Sequence, residues 1–195
     1  ICSWKVYESA PPFLWPQTVI QTEPAKAYAF VLVPGYSQLG FACALETLSL
    51  ANRHPSGQTY YRWRILSDTG GLVPAYNGIT TAVDGPLTDL NRDETIVICA
   101  GEDVGRGASK NLVRWLRRQV RQGMDFGALS SGTYVLALAG LAAGKRVTTH
   151  WEYRAALTEI LPDVIMEDTI FSVDGRMFTS AGGAASMDMM LNRIE

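Results

Sequence analysis

The segment Phe126-Gly127-Ala128-Leu129-Ser130-Ser131-Gly132-Thr133 decides how this chain is read. A short apolar run passes into two serines and then, with no spacer, into small residues that suit a helix. Strand, tight turn and helix in that order put the turn residue at a helix N-terminus, facing the crevice beyond the strand end. Free backbone N–H groups and the helix dipole favour negative charge at such a place. A cysteine there has its pKa lowered, whereas a serine needs a neighbouring base before it can attack. Ser130 and Ser131 also suit the plain role of helix caps, and spacing alone favours that role.

Outward from this turn, strand and helix signals alternate. Ala27 to Val33 reads as a buried strand closed by Pro34-Gly35. Ser37 caps a helix that carries Phe41, Leu45 and Leu48 at helical spacing. Tyr60 to Leu66 alternates as a strand, and Leu72-Val73 with Ile79 to Val83 reads as a hairpin around Pro74 and Asn77-Gly78. Thr95 to Cys99 is a buried strand ended by Ala100-Gly101. Leu112, Trp115, Leu116 and Val120 mark one face of a helix. The opposite face, with Lys110, Arg114, Arg117, Arg118 and Arg121, is read as solvated surface in preference to a nucleic-acid contact. Helices are expected over 132–141 and 152–160, short strands near 164–166, 170–173 and 177–179, and a terminal helix from Gly183. The alternation predicts an α/β fold with a mostly parallel sheet covered on both faces, and ligands beyond the carboxyl ends of its strands.

Composition narrows the function classes. With 195 residues, 47% of them hydrophobic, the chain can bury one sizeable core. A net charge of −2 gives no general attraction to nucleic acid or anionic membrane. No apolar run approaches the roughly 20 residues that span a bilayer. Cys2, Cys43 and Cys99 are odd in number and lack CxxC spacing, with only His54 and His150 to join them. That argues against a zinc site or a disulfide framework and for reduced thiols in a cytoplasm. Residues 1–26 set Trp4, Tyr7, Phe13 and Trp15 among prolines without periodicity, and read as an arm or linker before a domain over 27–195. The start at Ile1 and the stop within a helical pattern read as cuts in a longer protein.

Two further segments bear on chemistry. In Val147-Thr148-Thr149-His150-Trp151-Glu152, His150 stands where a strand hands over to a helix, placed to orient a ligand, act as a base or serve as a hydrogen-bonded structural residue. Thr179-Ser180-Ala181-Gly182-Gly183-Ala184-Ala185-Ser186 is a loop small enough to approach a ligand or another backbone closely. Neither a Walker loop nor a GxGxxG after the first strand is present, and no cofactor is expected.

Taken in order, these motifs make residues 27–195 resemble the amino-terminal domain of AraC-type regulators whose sensor belongs to the PfpI-like, class I glutamine amidotransferase-like superfamily. The resemblance rests on Phe30-Val31-Leu32-Val33-Pro34-Gly35-Tyr36-Ser37, Ala44-Leu45-Glu46, Ala51-Asn52-Arg53 and Tyr61-Arg62-Trp63-Arg64-Ile65-Leu66-Ser67. It includes the turn at Ser130, Thr149-His150-Trp151-Glu152 and Ser180-Ala181-Gly182-Gly183. It implies a flavodoxin-like three-layer α/β/α sandwich, often a homodimer, that reaches DNA only through a helix-turn-helix domain downstream. Enzymes of the superfamily use a cysteine where this chain has Ser130, an acid near Gly40, and in many cases a histidine where it has Ser131. With all three groups missing, the expectation is a non-catalytic domain that senses a small-molecule effector. The expected pocket lining is Tyr36, Glu46, Gly101, Glu102, Ser130, Ser131, His150 and Trp151. Within the family the chain most resembles sensors of quaternary amines such as glycine betaine and carnitine. Aromatic faces beside a carboxylate suit a trimethylammonium group, and a helix N-terminus suits the carboxylate of the same ligand. The alternative is a hydrolase or hydratase-like enzyme that uses Ser130 with His150 as its base.

Overall fold

The computed structural model describes residues 24–55 and 57–194. The expected arm up to Glu23 lies outside the described residues, while Lys26 already belongs to the first strand.

The strands are β1 (Lys26–Leu32), β2 (Tyr61–Ser67), β3 (Leu72–Pro74), β4 (Thr80–Ala82), β5 (Gly85–Pro86), β6 (Glu94–Cys99) and β7 (Phe126–Leu129). They continue with β8 (Arg146–Val147), β9 (Ile165–Met166), β10 (Phe171–Asp174) and β11 (Met177–Ser180). The helices are α1 (Gln38–Ala51), α2 (Val104–Gly107), α3 (Lys110–Val120), α4 (Gly132–Leu138), α5 (Arg154–Ile160) and α6 (Ala185–Ile194). Seven strands form one sheet in the order β10-β11-β7-β6-β1-β2-β5. Every neighbouring pair in it is parallel except β10 with β11. The hairpin β3–β4 and the pair β8–β9 stand outside that sheet.

Period-two alternation along the central strands sends successive side chains to opposite faces and creates two cores. Ala29, Val31, Ile96, Ile98 and Ala128 pack with Leu112, Leu116, Val135, Leu136 and Leu157, beneath α3, α4 and α5. Tyr28, Phe30, Leu32, Val97 and Leu129 pack with Phe41, Leu48, Met189 and Met190, beneath α1 and α6. This is the expected three-layer α/β/α sandwich. Polar clamps complete it. Arg64 holds the nearly buried Glu94 through Nε–Oε1 at 2.8 Å and Nη2–Oε2 at 2.9 Å. Arg193 of α6 bonds Asp125 at 2.7 Å while its guanidinium lies 5.0 Å from the centre of the Phe178 ring.

Three local differences from the sequence reading have simple causes. The helix expected over 132–141 stops at Leu138, where Arg117 donates to the free carbonyls of Leu138 and Ala139, both at 2.8 Å. The helix expected from residue 152 opens with a tight 3₁₀ turn over Trp151–Tyr153 before α5 begins. The last strands hold, but β9 pairs with β8 away from the main sheet. The described chain contains no helix long and apolar enough to cross a membrane.

Candidate functional site

The chain runs from β1 to β2 on one side and then crosses to β6 on the other, so the strand order reverses between β1 and β6. Loops at the carboxyl ends diverge at such a switch point and leave a crevice. Here Ser37 follows β1, Gly101 and Glu102 follow β6, and Ser130 follows β7. Together with Tyr76, His150, Glu152 and Tyr153 they line a cleft of about 160 Å³. Pockets for drug-sized molecules begin near roughly 300 Å³, so this cleft suits a small metabolite.

Ser130 sits at φ 58°, one of two residues other than glycine with positive φ among the described residues. That left-handed backbone costs a residue with a side chain about 1–2 kcal/mol. Neighbours on every side hold it in place. Its N–H donates to the carbonyl of Ser180 at 3.0 Å, and its own carbonyl accepts from Thr149 Oγ1 at 3.0 Å and His150 N–H at 3.4 Å. Gly182, at φ 95°, presses so close that a Cβ there would lie 2.7 Å from Ser130 Cβ. The hydroxyl of Ser130 makes no hydrogen bond to any described residue, His150 included. It is present in the cleft without a base against it.

His150 is held by its backbone and by the threonines beside it. Thr133 Oγ1 donates to Thr148 O at 2.9 Å, Thr148 N–H donates to Thr179 Oγ1 at 2.9 Å, and Thr148 Oγ1 donates to Thr169 O at 2.7 Å. The ring lies 5.7 Å from that of Trp151 and 6.5 Å from that of Tyr153. Its Nδ1 is buried without a hydrogen bond, and the Glu152 carboxylate is 3.6 Å away. That separation is too long for a hydrogen bond but short enough for an ion pair if the ring is protonated. Tyr153 reaches the cleft one 3₁₀ turn later, through its N–H bond to His150 O at 2.9 Å. Burial raises its phenol pKa, and the nearby backbone of Val104 and Asp103 partly offsets the rise.

Of the expected lining residues, Gly101, Glu102, Ser130 and His150 meet in the cleft. The other four lie elsewhere, each for a visible reason. Tyr36 is fully buried, and its hydroxyl is taken up by Gln38 Oε1 and Thr81 Oγ1, both at 2.6 Å. Ser131 is buried and spends its hydroxyl on the Gly101 carbonyl at 2.6 Å, which locks two cleft loops together. Glu46 lies on the exposed side of α1. Trp151 flanks His150 but remains 72% exposed, outside the lining. At the position of the family acid, Gly40, an added Cβ would lie 3.3 Å from Ser186 Oγ, 3.4 Å from Gly183 N and 3.5 Å from Ser37 Oγ, so two hydroxyls border that quarter.

Sequence reasoning missed Ser37, Tyr76, Glu152 and Tyr153 as lining residues. Tyr76 stands in the β3–β4 turn and is positioned by its N–H bond to Tyr36 O at 3.2 Å, a long-range contact with no local signal. Glu152 and Tyr153 were legible in part, since a helical turn after His150 carries the next residues back toward the same side. No group of histidine, cysteine or acidic residues that could hold a metal ion occurs among the described residues.

Comparison with known proteins fits this geometry. The chain is 42% identical over 165 residues to the HTH-type transcriptional regulator CdhR of Pseudomonas aeruginosa, covering 85% of this chain and 48% of that protein. It is 36% identical over 174 residues to the regulator GbdR of the same species, covering 89% of this chain and 47% of that protein. It therefore spans about half the length of these relatives. An isonitrile hydratase of Pseudomonas putida is 31% identical over 83% of this chain and 68% of its own length. Among solved structures, an AraC family transcriptional regulator from Pseudomonas putida superposes with a TM-score of 0.75 at 25% identity, covering 88% of this chain and 91% of that one. Drosophila melanogaster DJ-1beta shares the fold, with a TM-score of 0.72 at 21% identity over 87% of this chain and 89% of its own. The DJ-1/PfpI family model matches residues 25–195, and the chain belongs to that family.

Proposed function

We propose that this domain is the effector-sensing part of a helix-turn-helix transcription regulator and that it binds a small quaternary amine or amino-acid-like metabolite without transforming it. The observation that carries the reading is the content of the cleft. Glu102 and Glu152 line it with Tyr76 and Tyr153, beside Ser130, whose hydroxyl no base among the described residues engages. Carboxylates and aromatic faces together attract a trimethylammonium or ammonium group, each ring contributing about 0.5–2 kcal/mol. An unactivated serine is a weak nucleophile at neutral pH. Similarity to two regulators over about half their length supports the regulatory role. DNA contact then falls to a separate domain, consistent with the net charge of −2 carried here. The protein works in the cytoplasm as a homodimer, and the effector acts by binding one arrangement of the dimer better than another.

Calorimetry with glycine betaine and carnitine tests the proposal, alongside light scattering for the dimer. Binding is expected, and Glu152→Gln should weaken it about tenfold by removing one carboxylate from the cation. Silence across these amines and a panel of amino acids would refute it. The likeness to an isonitrile hydratase keeps one second reading in play, an enzyme that uses Ser130 with His150. Turnover of an isonitrile that Ser130→Ala abolishes would establish that reading instead.

A further inference from the structure

The cleft does not end at its inner wall. Tyr76 and Glu102, which close one side of it, also line a second, shallower hollow with Pro34, Asp103 and Arg106. The two compartments therefore share a wall and open beside one another. Their charges differ. The first holds Glu102 and Glu152 and no lysine or arginine. The second holds Arg106, the single lysine or arginine lining either compartment.

Arg106 is exposed and forms no ion pair with any described carboxylate, although Glu102 and Asp103 lie in the same short segment. Its backbone is nevertheless fixed, because its N–H donates to Asp103 O at 2.9 Å. The floor beneath it is tight. A Cβ at Gly107 would meet Pro34 O at 3.0 Å, and one at Gly35 would meet Glu102 O at 2.7 Å. An unpaired guanidinium beside a compartment that attracts cations is an arrangement suited to the far end of a dipolar molecule.

We propose that Arg106 is the anion-holding residue of a two-compartment site whose ligand is an elongated dipolar ion, its cationic head among Glu102, Glu152, Tyr76 and Tyr153 and its carboxylate on Arg106. This rests on the cleft being an effector site, as proposed above. It goes beyond that reading by stating the shape of the effector, with charges separated by a chain long enough to pass over Tyr76, and by naming the residue that selects for it. Compact dipolar ions fill one compartment and leave Arg106 unused.

The test is calorimetry on the 195-residue chain with three probes that share a trimethylammonium head. Choline has no anion, glycine betaine carries its carboxylate one carbon away, and γ-butyrobetaine carries it three carbons away. γ-Butyrobetaine is expected to bind about tenfold tighter than choline, a margin a charge-assisted pair supplies. Arg106→Gln should abolish that margin and leave choline binding unchanged, and Arg106→Lys should restore part of it. A thermal melt of each variant guards against misfolding, since Arg106 is exposed and packs against no core. Equal affinities for choline and γ-butyrobetaine, or an Arg106→Gln loss shared equally by all three probes, would overturn the anion-holding role while leaving the effector site standing. Failure of all three probes to bind would overturn the two-compartment assignment, and the amino-acid panel named above then decides whether the effector site stands.

Discussion

Replacing Gly182 by alanine separates two costs that the turn at Ser130 imposes on its neighbour. The backbone at Gly182 has φ 95°, and a Cβ there would stand 2.7 Å from Ser130 Cβ and 2.9 Å from Ser130 Oγ. The left-handed backbone alone costs an alanine about 1–2 kcal/mol. Forcing a methyl group into a filled space adds about 1–3 kcal/mol. Ser130 cannot simply move aside, because both its N–H and its carbonyl are hydrogen-bonded. The expected loss is about 2–5 kcal/mol, a large share of the roughly 5–15 kcal/mol that holds a typical domain folded. Gly144→Ala is the control, since its φ is 65° and no atom lies within 4 Å of the added Cβ. It should lose only the backbone part, about 1–2 kcal/mol. Urea unfolding with linear extrapolation measures both, with unchanged slopes as the sign that only the native state was touched. Adding Ser130→Gly to Gly182→Ala removes the opposing Cβ and should recover the contact part. Equal losses for Gly182→Ala and Gly144→Ala, or no recovery in the double variant, would refute the claim that the Gly182 approach holds the turn.

Two further outcomes follow from the polar clamps. Arg64→Leu removes the bidentate partner of Glu94, whose side chain is 6% exposed, and should destabilise the fold by about 3 kcal/mol in urea unfolding because the carboxylate is left buried and unpaired; a change under about 1 kcal/mol would count against this. Asp174 accepts from the Arg146 N–H at 3.0 Å and from Lys145 Nζ at 3.1 Å, and these bonds hold its carboxyl pKa below the usual value of 3.8. Its stabilising contribution is therefore present above that value and disappears as the pH falls through the lowered one. Asp174→Asn should be less stable than the parent chain at neutral pH and show a flatter loss toward pH 3; parallel pH profiles would remove Asp174 from the account.

The sheet was legible because its central strands are buried on both faces, and such strands read as continuous apolar runs. Ala27 to Val33 and Thr95 to Cys99 match β1 and β6 to within one residue at each end. The strand β5 was not legible, since Gly85-Pro86 carries neither propensity nor alternation and exists only through its pairing with β2. The cleft was half legible. Loops that follow the strands directly, at Gly101 and Ser130, are placed by the strand ends themselves. Tyr76 comes from a hairpin that folds over the cleft from outside the sheet, a tertiary fact with no local trace. Glu46 was misplaced even though the helix spacing disfavoured it. Ala44 and Leu48 are buried, and residue 46 lies about 200° around the helix from each. The family motif drew attention to Glu46 where the periodicity of α1 pointed it toward water.

The strand order has a consequence for how the chain comes to be folded at all. Strand β1 lies in the interior of the sheet, yet one of its two partners, β6, is completed only at Cys99, roughly 70 residues later. A ribosome adding about 5–20 residues per second needs several seconds to deliver it. For that interval a strand that is buried along nearly its whole length in the folded protein has emerged with at least one edge unfilled. Nascent-chain holding factors, slow codons between residues 33 and 94, or early capture by β2 alone are the means by which a cell can protect it.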